Sequence, residues 1–188
     1  MKATRLITGP TIEPVSLADF KLHARIDGTD EDAILPLYIR AARSECEQRL
    51  GGRSLLTQTW ETVLDRWPDD DDISLDWGPV QSITSVNYRD TAGSLQTVPG
   101  SVYALDSVGN PAWVVLQPGQ SWPIAGDFAN AIAVRYVTGV ATAAEVPDDL
   151  KAWILLAAAH LYAQRERTAE ARVPSTFHDS LLDRWVQY

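Results

Sequence analysis

Residues 152–163 read AWILLAAAHLYA, and only His160 interrupts this apolar stretch. Pro147 and two aspartates after it are typical of the first turn of a helix. About a dozen apolar residues are too few to cross a bilayer. A helix that is apolar around its whole circumference needs cover on every side. We therefore expect this helix to lie in a core or in an oligomer interface.

Two further helices are expected upstream, over residues 16–26 and 30–50. Ser16 followed by Asp19 predicts a capped start for the first of them. In the second, apolar residues spread over more than half of the circumference, which indicates packing against more than one neighbour. We expect residues 1–14 to be irregular, because prolines punctuate them.

The spacing of the apolar residues changes after residue 54. Residues 57–64 alternate in the pattern of a strand and are rich in β-branched and aromatic side chains. Short segments of the same kind follow, separated by Gly and Pro. This spacing favours an antiparallel sheet, sandwich or small barrel over βαβ units. We expect strands at 57–64, 73–75, 82–89, 94–98, 102–105, 113–116 and 131–138.

The order helix, helix, strands, helix, helix defines the fold class that we predict. It is α+β, with a small helical body formed by N- and C-terminal helices and an antiparallel β insert that projects from it. The predicted boundaries are 1–53 for the N-terminal helices, 54–140 for the β insert and 141–188 for the C-terminal helices. A last helix is expected from about residue 174.

Composition excludes several classes of protein. Hydrophobic residues make up 45% and charged residues 22% of the 188-residue chain, which is ordinary for a folded protein and excludes disorder. A formal charge of −9 argues against electrostatic binding of nucleic acid. One cysteine, Cys46, excludes an internal disulfide framework. We expect no membrane span, and no secretion signal in residues 1–10.

We found no strong catalytic or ligand motif. His23, His160 and His178 are too far apart for a local metal motif, and we interpret His160 as a core or interface histidine and Cys46 as an inert buried thiol. Asp70, Asp72, Ser74 and Asp76 alternate as the ligands of a calcium loop do. However, Leu75 stands where glycine is needed and Gln81 where the bidentate glutamate is needed. We therefore predict a solvated loop, with no catalytic residue, no metal and no cofactor.

Several stretches of the chain, taken in order, carry a resemblance. The stretches are PVSLADFK (14–21), HARID (23–27), Asp30-Glu31-Asp32 to Ile39, Ala41-Ala42-Arg43, Glu47, Gly51, Arg53, TQTW (57–60), PVQSI (79–83), Tyr88-Arg89-Asp90, Gly93, Val134-Arg135-Tyr136, Gly139, Val146-Pro147, Tyr162 and Arg165-Glu166. In this order they resemble the head–tail connector (adaptor) family of tailed bacteriophages and related gene-transfer particles. The similarity extends over nearly the whole chain, although each stretch alone is weak.

The resemblance implies a structural virion protein rather than an enzyme. It implies a homo-oligomeric ring, usually of twelve copies, beneath the portal protein in the particle neck and next to a further neck or tail protein. The chain would be made in the host bacterial cytoplasm. DNA would pass through the ring channel without specific binding, and an acidic wall would let it slide because like charges repel.

Two sets of residues are candidates for the contacts of such a ring. We expect the helices at 30–50 and 152–163 to form the ring interface, through Leu37, Tyr38, Trp153, Leu156 and His160; the alternative is a well-packed monomer core. We expect the last helix to dock on the portal through one apolar face; the alternative is that it folds back on its own body. That face consists of Phe177, Leu181, Leu182 and Trp185.

Two other functions stay open at this level. The chain contains 7 tryptophans, and those of the β insert, together with carboxylates, could form a small carbohydrate-binding or hydrolytic module. A small cytoplasmic regulator, monomeric and without a virion role, is the other alternative.

Overall fold

The computed structural model describes residues 1–164 and 180–185. One compact unit consists of Met1–Pro10 and Thr57–Gly139, and the other of Thr11–Leu56 and Val140–Tyr188. The predicted α+β class is confirmed. The elements are β1 Lys2–Thr8, α1 Leu17–Ala24, α2 Leu35–Arg49, β2 Gln58–Leu64, β3 Ile73–Leu75, β4 Val80–Arg89, β5 Leu95–Thr97, β6 Tyr103–Asp106, β7 Ala112–Leu116, β8 Ile132–Thr138, a 3-10 turn Ala143–Glu145 and α3 Asp148–Ala163.

The first unit, here called the β unit, contains two antiparallel sheets. Five strands lie in the order β1-β2-β8-β4-β5, and three in the order β3-β7-β6. Both sheets contribute to one hydrophobic core. Its fully buried members include Leu75, Val86, Val114, Ile132, Val134 and Tyr136.

Alternation in β2 explains how the large sheet obtains two different faces. Trp60 and Leu64 point into the core, whereas Glu61 between them belongs to the opposite face. The strand register sets Glu61 opposite Arg5 of β1 and Arg135 of β8. The outer face of the sheet therefore carries a row of three charged residues.

The expectation of irregular structure over residues 1–14 is wrong for Lys2–Thr8, which form strand β1. This strand is at the edge of the sheet and is exposed at every residue except the half-buried Thr4. It therefore lacks the alternation of buried apolar residues that identifies a strand in a sequence. Pairing with β2 and a bond between the hydroxyls of Thr4 and Thr62 (3.0 Å) hold it in place.

The second unit, here called the helical unit, is built from α1, α2 and α3 around a core of its own. Ser16 and Asp19 form the predicted capping box at the start of α1. Fully buried side chains from each helix meet in this core, among them Phe20, Leu35, Ile39, Leu150 and Ile154.

The second helix begins later than residue 30, where we expected it. Residues 30–34 form hydrogen-bonded turns, and α2 runs from Leu35 to Arg49 with Pro36 in its first turn. Proline has no backbone N–H to donate and clashes with the preceding turn, so it is tolerated only at the start of a helix. Pro36 therefore fixes this boundary.

The third helix buries one face rather than its whole circumference. Leu150, Trp153, Ile154 and Ala158 are buried, whereas His160 is exposed. Within one copy of the chain, α3 is therefore not covered on every side and His160 does not lie in the core, whereas the interface alternative stays a prediction for both. Within the described residues, no helix is long and apolar enough to cross a membrane.

Candidate interaction surfaces

Residues 1–164 and 180–185 contain no group of three or more His, Cys, Asp or Glu side chains that could hold a metal ion. His23 and His160 are exposed, and His178 lies outside the described residues. Cys46 is fully buried, and burial, with the carboxylates of Glu47 and Glu45, raises the pKa of its thiol to about 12. A thiol with so high a pKa is unreactive near neutral pH, as the sequence led us to expect.

Four of the tryptophans stack on one another in pairs. The Trp60 and Trp77 rings lie 3.9 Å apart at 13°, and the Trp67 and Trp122 rings 4.4 Å apart at 5°. The indole N–H groups of Trp67 and Trp122 donate to backbone carbonyls at 2.8 Å. Each ring therefore has one face covered, and two of the N–H groups are already used. This arrangement indicates packing anchors and weakens the carbohydrate-binding alternative.

The three charged residues on the outer face of the five-stranded sheet form one hydrogen-bonded row. Glu61 Oε2 accepts from Arg5 Nε at 2.9 Å, and Glu61 Oε1 accepts from Arg135 at 2.8 Å. Burial alone would raise the pKa of Glu61, but the hydrogen bonds and charges of the two arginines outweigh burial and lower it. The row therefore links β1, β2 and β8 through an ionised carboxylate.

Glu61 should make a pH-dependent contribution to stability. Because its folded-state pKa lies below the unfolded value of about 4.3, the contribution is present above that value and is lost as pH falls through the folded pKa. Glu61→Gln should cost about 1–3 kcal/mol at pH 7, since its amide N–H would face an arginine donor. Urea unfolding from about pH 7 down to about pH 3 should show wild type and variant converging. A constant gap would contradict the assignment.

A second ionic cluster lies inside the helical unit. Arg43 donates to Glu47 at 2.7 Å and to Glu13 at 2.8 Å, and Glu47 Oε1 accepts from the backbone N–H of Leu55 at 2.9 Å. Arg43 and Glu47 are both buried. The cluster therefore connects α2 to the segments on either side of it, which is a structural role.

The five residues predicted for the ring interface differ in how far they are exposed. Leu37 is 49% exposed and His160 is exposed, whereas Tyr38 and Leu156 are half-buried. Trp153 is 3% exposed and belongs to the core of its own helical unit. Any contribution of Trp153 to a ring contact would therefore be indirect, and the other four remain predictions.

The residues predicted to dock on the portal are partly used within the chain. Leu182 is buried in the helical core, and Leu181 and Trp185 pack against that core. The Trp185 indole donates to Asp149 Oδ2 at 2.9 Å. Phe177 lies outside the described residues. Leu182 thus faces its own unit, which agrees with the fold-back alternative, and docking through Leu181 and Trp185 remains a prediction.

The structure shows two apolar surface features of the helical unit, of whose residues only Leu37 was named as an interface candidate from the sequence. The first, the α2 ridge, consists of Ile34, the residue just before α2, and of Leu37 and Ala41, which are exposed on the side of α2 that faces away from Leu35 and Ile39. The second, the α1–α3 groove, is an open cleft of about 550 Å³. Its lining includes Val15, Leu22, Ala143, Ala144, Lys151 and Leu155.

Chains from solved neck structures have the same fold as this protein. A chain in the neck of an empty GTA particle computed with C6 symmetry matches with a TM-score of 0.80 and 24% identity, over 99% of this chain and 96% of that one. A chain in the neck of a native GTA particle computed with C12 symmetry matches with a TM-score of 0.78 and 24% identity, over 99% of this chain and 96% of that one. A chain in the virion of a native gene transfer agent (GTA) particle matches with a TM-score of 0.77 and 25% identity, over 98% of this chain and 95% of that one.

The sequence itself matches a family model. Residues 14–94 match the family described as Phage gp6-like head-tail connector protein. The resemblance to head–tail connectors that was inferred from the sequence is thereby confirmed, and with it the prediction of a structural protein of the connector type. No curated protein sequence matches the chain significantly.

Proposed function

We propose that this chain is a head–tail connector subunit, which assembles with identical copies into a ring beneath the portal in the neck of a phage or gene-transfer particle. The observation that carries the proposal is the match of residues 14–94 to the connector family, in a chain that shares its fold with neck proteins over 99% of its length. The C6 and C12 symmetries of those necks support a closed ring, with twelve copies as the expected number.

The proposal includes the arrangement predicted from the sequence, in which a β insert interrupts a helical body. The two compact units support it, because segments on both sides of the β unit contribute to the helical unit. The boundaries 1–53, 54–140 and 141–188 then describe the body and its insert, except that β1 joins the β unit.

A ring of this kind would act by position rather than by catalysis. Its partners would be the portal protein and the next neck or tail protein, and DNA would pass through without specific binding. Acids outnumber bases in both units, by ten to five in the β unit and by fifteen to eleven in the helical unit. A channel lined by either unit would repel phosphate and let DNA slide. The subunit would be made in the host cytoplasm and function in the virion neck.

The candidate contacts are the predicted residues that are not buried in the described part of the chain, together with Phe177. We assign the ring interface to α2 and α3, through Leu37, Tyr38, Leu156 and His160. We assign portal docking to the C-terminal segment, through Phe177 and the uncovered parts of Leu181 and Trp185.

Removal of the gene from a producing strain tests the function. We expect heads without attached tails in electron micrographs, because the piece that joins the two is missing, and we expect supply of the unchanged gene to restore tailed particles. Normally tailed, infectious or DNA-transferring particles in the absence of the chain would contradict the proposal.

A further inference from the structure

We propose that neighbouring subunits of the ring join head to tail, with the α2 ridge of one copy seated in the α1–α3 groove of the next. The inference rests on the proposed ring and extends the contact assigned above, with Leu37 common to both, to the surfaces of the ridge and the groove. Both surfaces belong to the helical unit, and they have no residue in common.

The groove leaves apolar surface in water that a partner could cover. Leu22 is 82% exposed. It points away from the core of the helical unit, because it lies on the side of α1 opposite the buried Phe20. Ala143, Ala144 and Leu155 line the same cleft. Contiguous exposed apolar surface with polar groups around it is typical of a protein-binding site.

The ridge has the complementary form. Ile34 and Leu37 are 42% and 49% exposed, and Ala41 follows Leu37 one turn later on the same side of α2. Aliphatic side chains spaced along one helix face insert into an apolar groove of a partner as a row of anchors. Both sides of α2 therefore carry apolar side chains, and no other part of the described chain covers the outer side.

Charge also favours a second copy as the occupant. Lys151 lies in the groove, and its one described ion pair is a 3.3 Å contact with the exposed Asp148. Asp19, the acid of the groove, is already engaged in the cap of α1. Asp30 stands exposed just before the ridge, and no ion pair involves it within the described residues. An incoming ridge would thus bring a carboxylate toward a lysine.

The pairing explains why copies would close into a ring. Because the ridge and the groove are different surfaces, each copy would offer a free ridge at one side and a free groove at the other. Such heterologous contacts generate a ring when the rotation between copies closes. One chain that offers both halves of the contact needs no other protein to form it.

Two substitutions at exposed positions test the contact without disturbing the fold. Leu37→Glu should disable the ridge and Leu22→Glu the groove, and Val108→Glu, at a site 99% exposed in the β unit, is the control. Each of the first two should weaken self-association about tenfold or more and abolish the ring. Val108→Glu should leave it intact. Ring assembly is followed by native mass spectrometry and self-association by analytical ultracentrifugation of the free chain.

The outcomes separate this inference from the proposed function. Rings that persist in either Leu37→Glu or Leu22→Glu would overturn the pairing and leave the connector proposal standing. Loss of binding to the portal ring, with unchanged self-association of the free chain, would assign the surfaces to the portal and also overturn it. Failure of the unsubstituted chain to form a ring, alone or with the portal, would refute the proposed function itself.

Discussion

Replacement of Glu47 by alanine should lower the free energy of unfolding by about 3–5 kcal/mol. The carboxylate is buried and accepts from Arg43 at 2.7 Å and from the backbone N–H of Leu55 at 2.9 Å. Its removal leaves a buried guanidinium with Glu13 as its remaining described carboxylate, and it leaves a buried N–H without this acceptor. A buried charge that loses one of its two carboxylates, beside a buried N–H that loses this acceptor, is among the most destabilising results of a substitution.

Glu45 provides the matched control on the same helix. It pairs with Arg49 one turn later, and both side chains are more than 40% exposed. Exposed pairs of this kind contribute about 0.3–0.5 kcal/mol, so Glu45→Ala should be nearly neutral in urea unfolding followed by circular dichroism. Equal effects of the two substitutions would mean that the buried cluster does not stabilise the helical unit.

Replacement of Phe20 by alanine should cost about 3–5 kcal/mol, the usual range for removal of a buried aromatic ring. Phe20 is fully buried and meets Tyr162 edge to face, with ring centroids 6.3 Å apart. Helix α1 has only 8 residues. A helix this short depends on packing rather than on its own propensity, so the loss of Phe20 should also loosen α1.

Leu22→Ala is the control for this prediction, because Leu22 lies two residues away on the same helix and is 82% exposed. Its cost should stay within about 0.5 kcal/mol. Thermal unfolding, together with hydrogen exchange of the α1 amides, measures both effects. Fast exchange confined to α1 in Phe20→Ala would fit the account, and a melting temperature equal to that of Leu22→Ala would contradict it.

Local signals explain which parts of the fold could be predicted. The capping box of Ser16 and Asp19 and the alternation in β2 are short-range patterns, and both elements form where these patterns indicated. Strand β1 was missed because pairing with β2 holds it, not alternation of its own side chains. The start of α2 was placed too early because the acids at residues 30–32 are typical of a first helical turn, although proline chemistry sets the boundary at Pro36.

The interaction surfaces were harder to predict, because exposure depends on which neighbours cover a helix. Periodicity identified α2 as apolar over a wide arc, but it could not distinguish the buried Ile39 from the exposed Leu37. Tryptophan is a residue type that often anchors interfaces, but Trp153 lies in the core of its own unit. The groove around Leu22 combines residues from three separate segments, which sequence spacing does not connect.

Native mass spectrometry of this chain, alone and mixed with the portal ring from its own gene cluster, tests the central claim most directly. The connector account predicts a new species in which one portal ring carries a closed set of about twelve subunits, the number suggested by the C12 neck. A chain that remains monomeric in both samples, with the portal ring unchanged in mass, would contradict it.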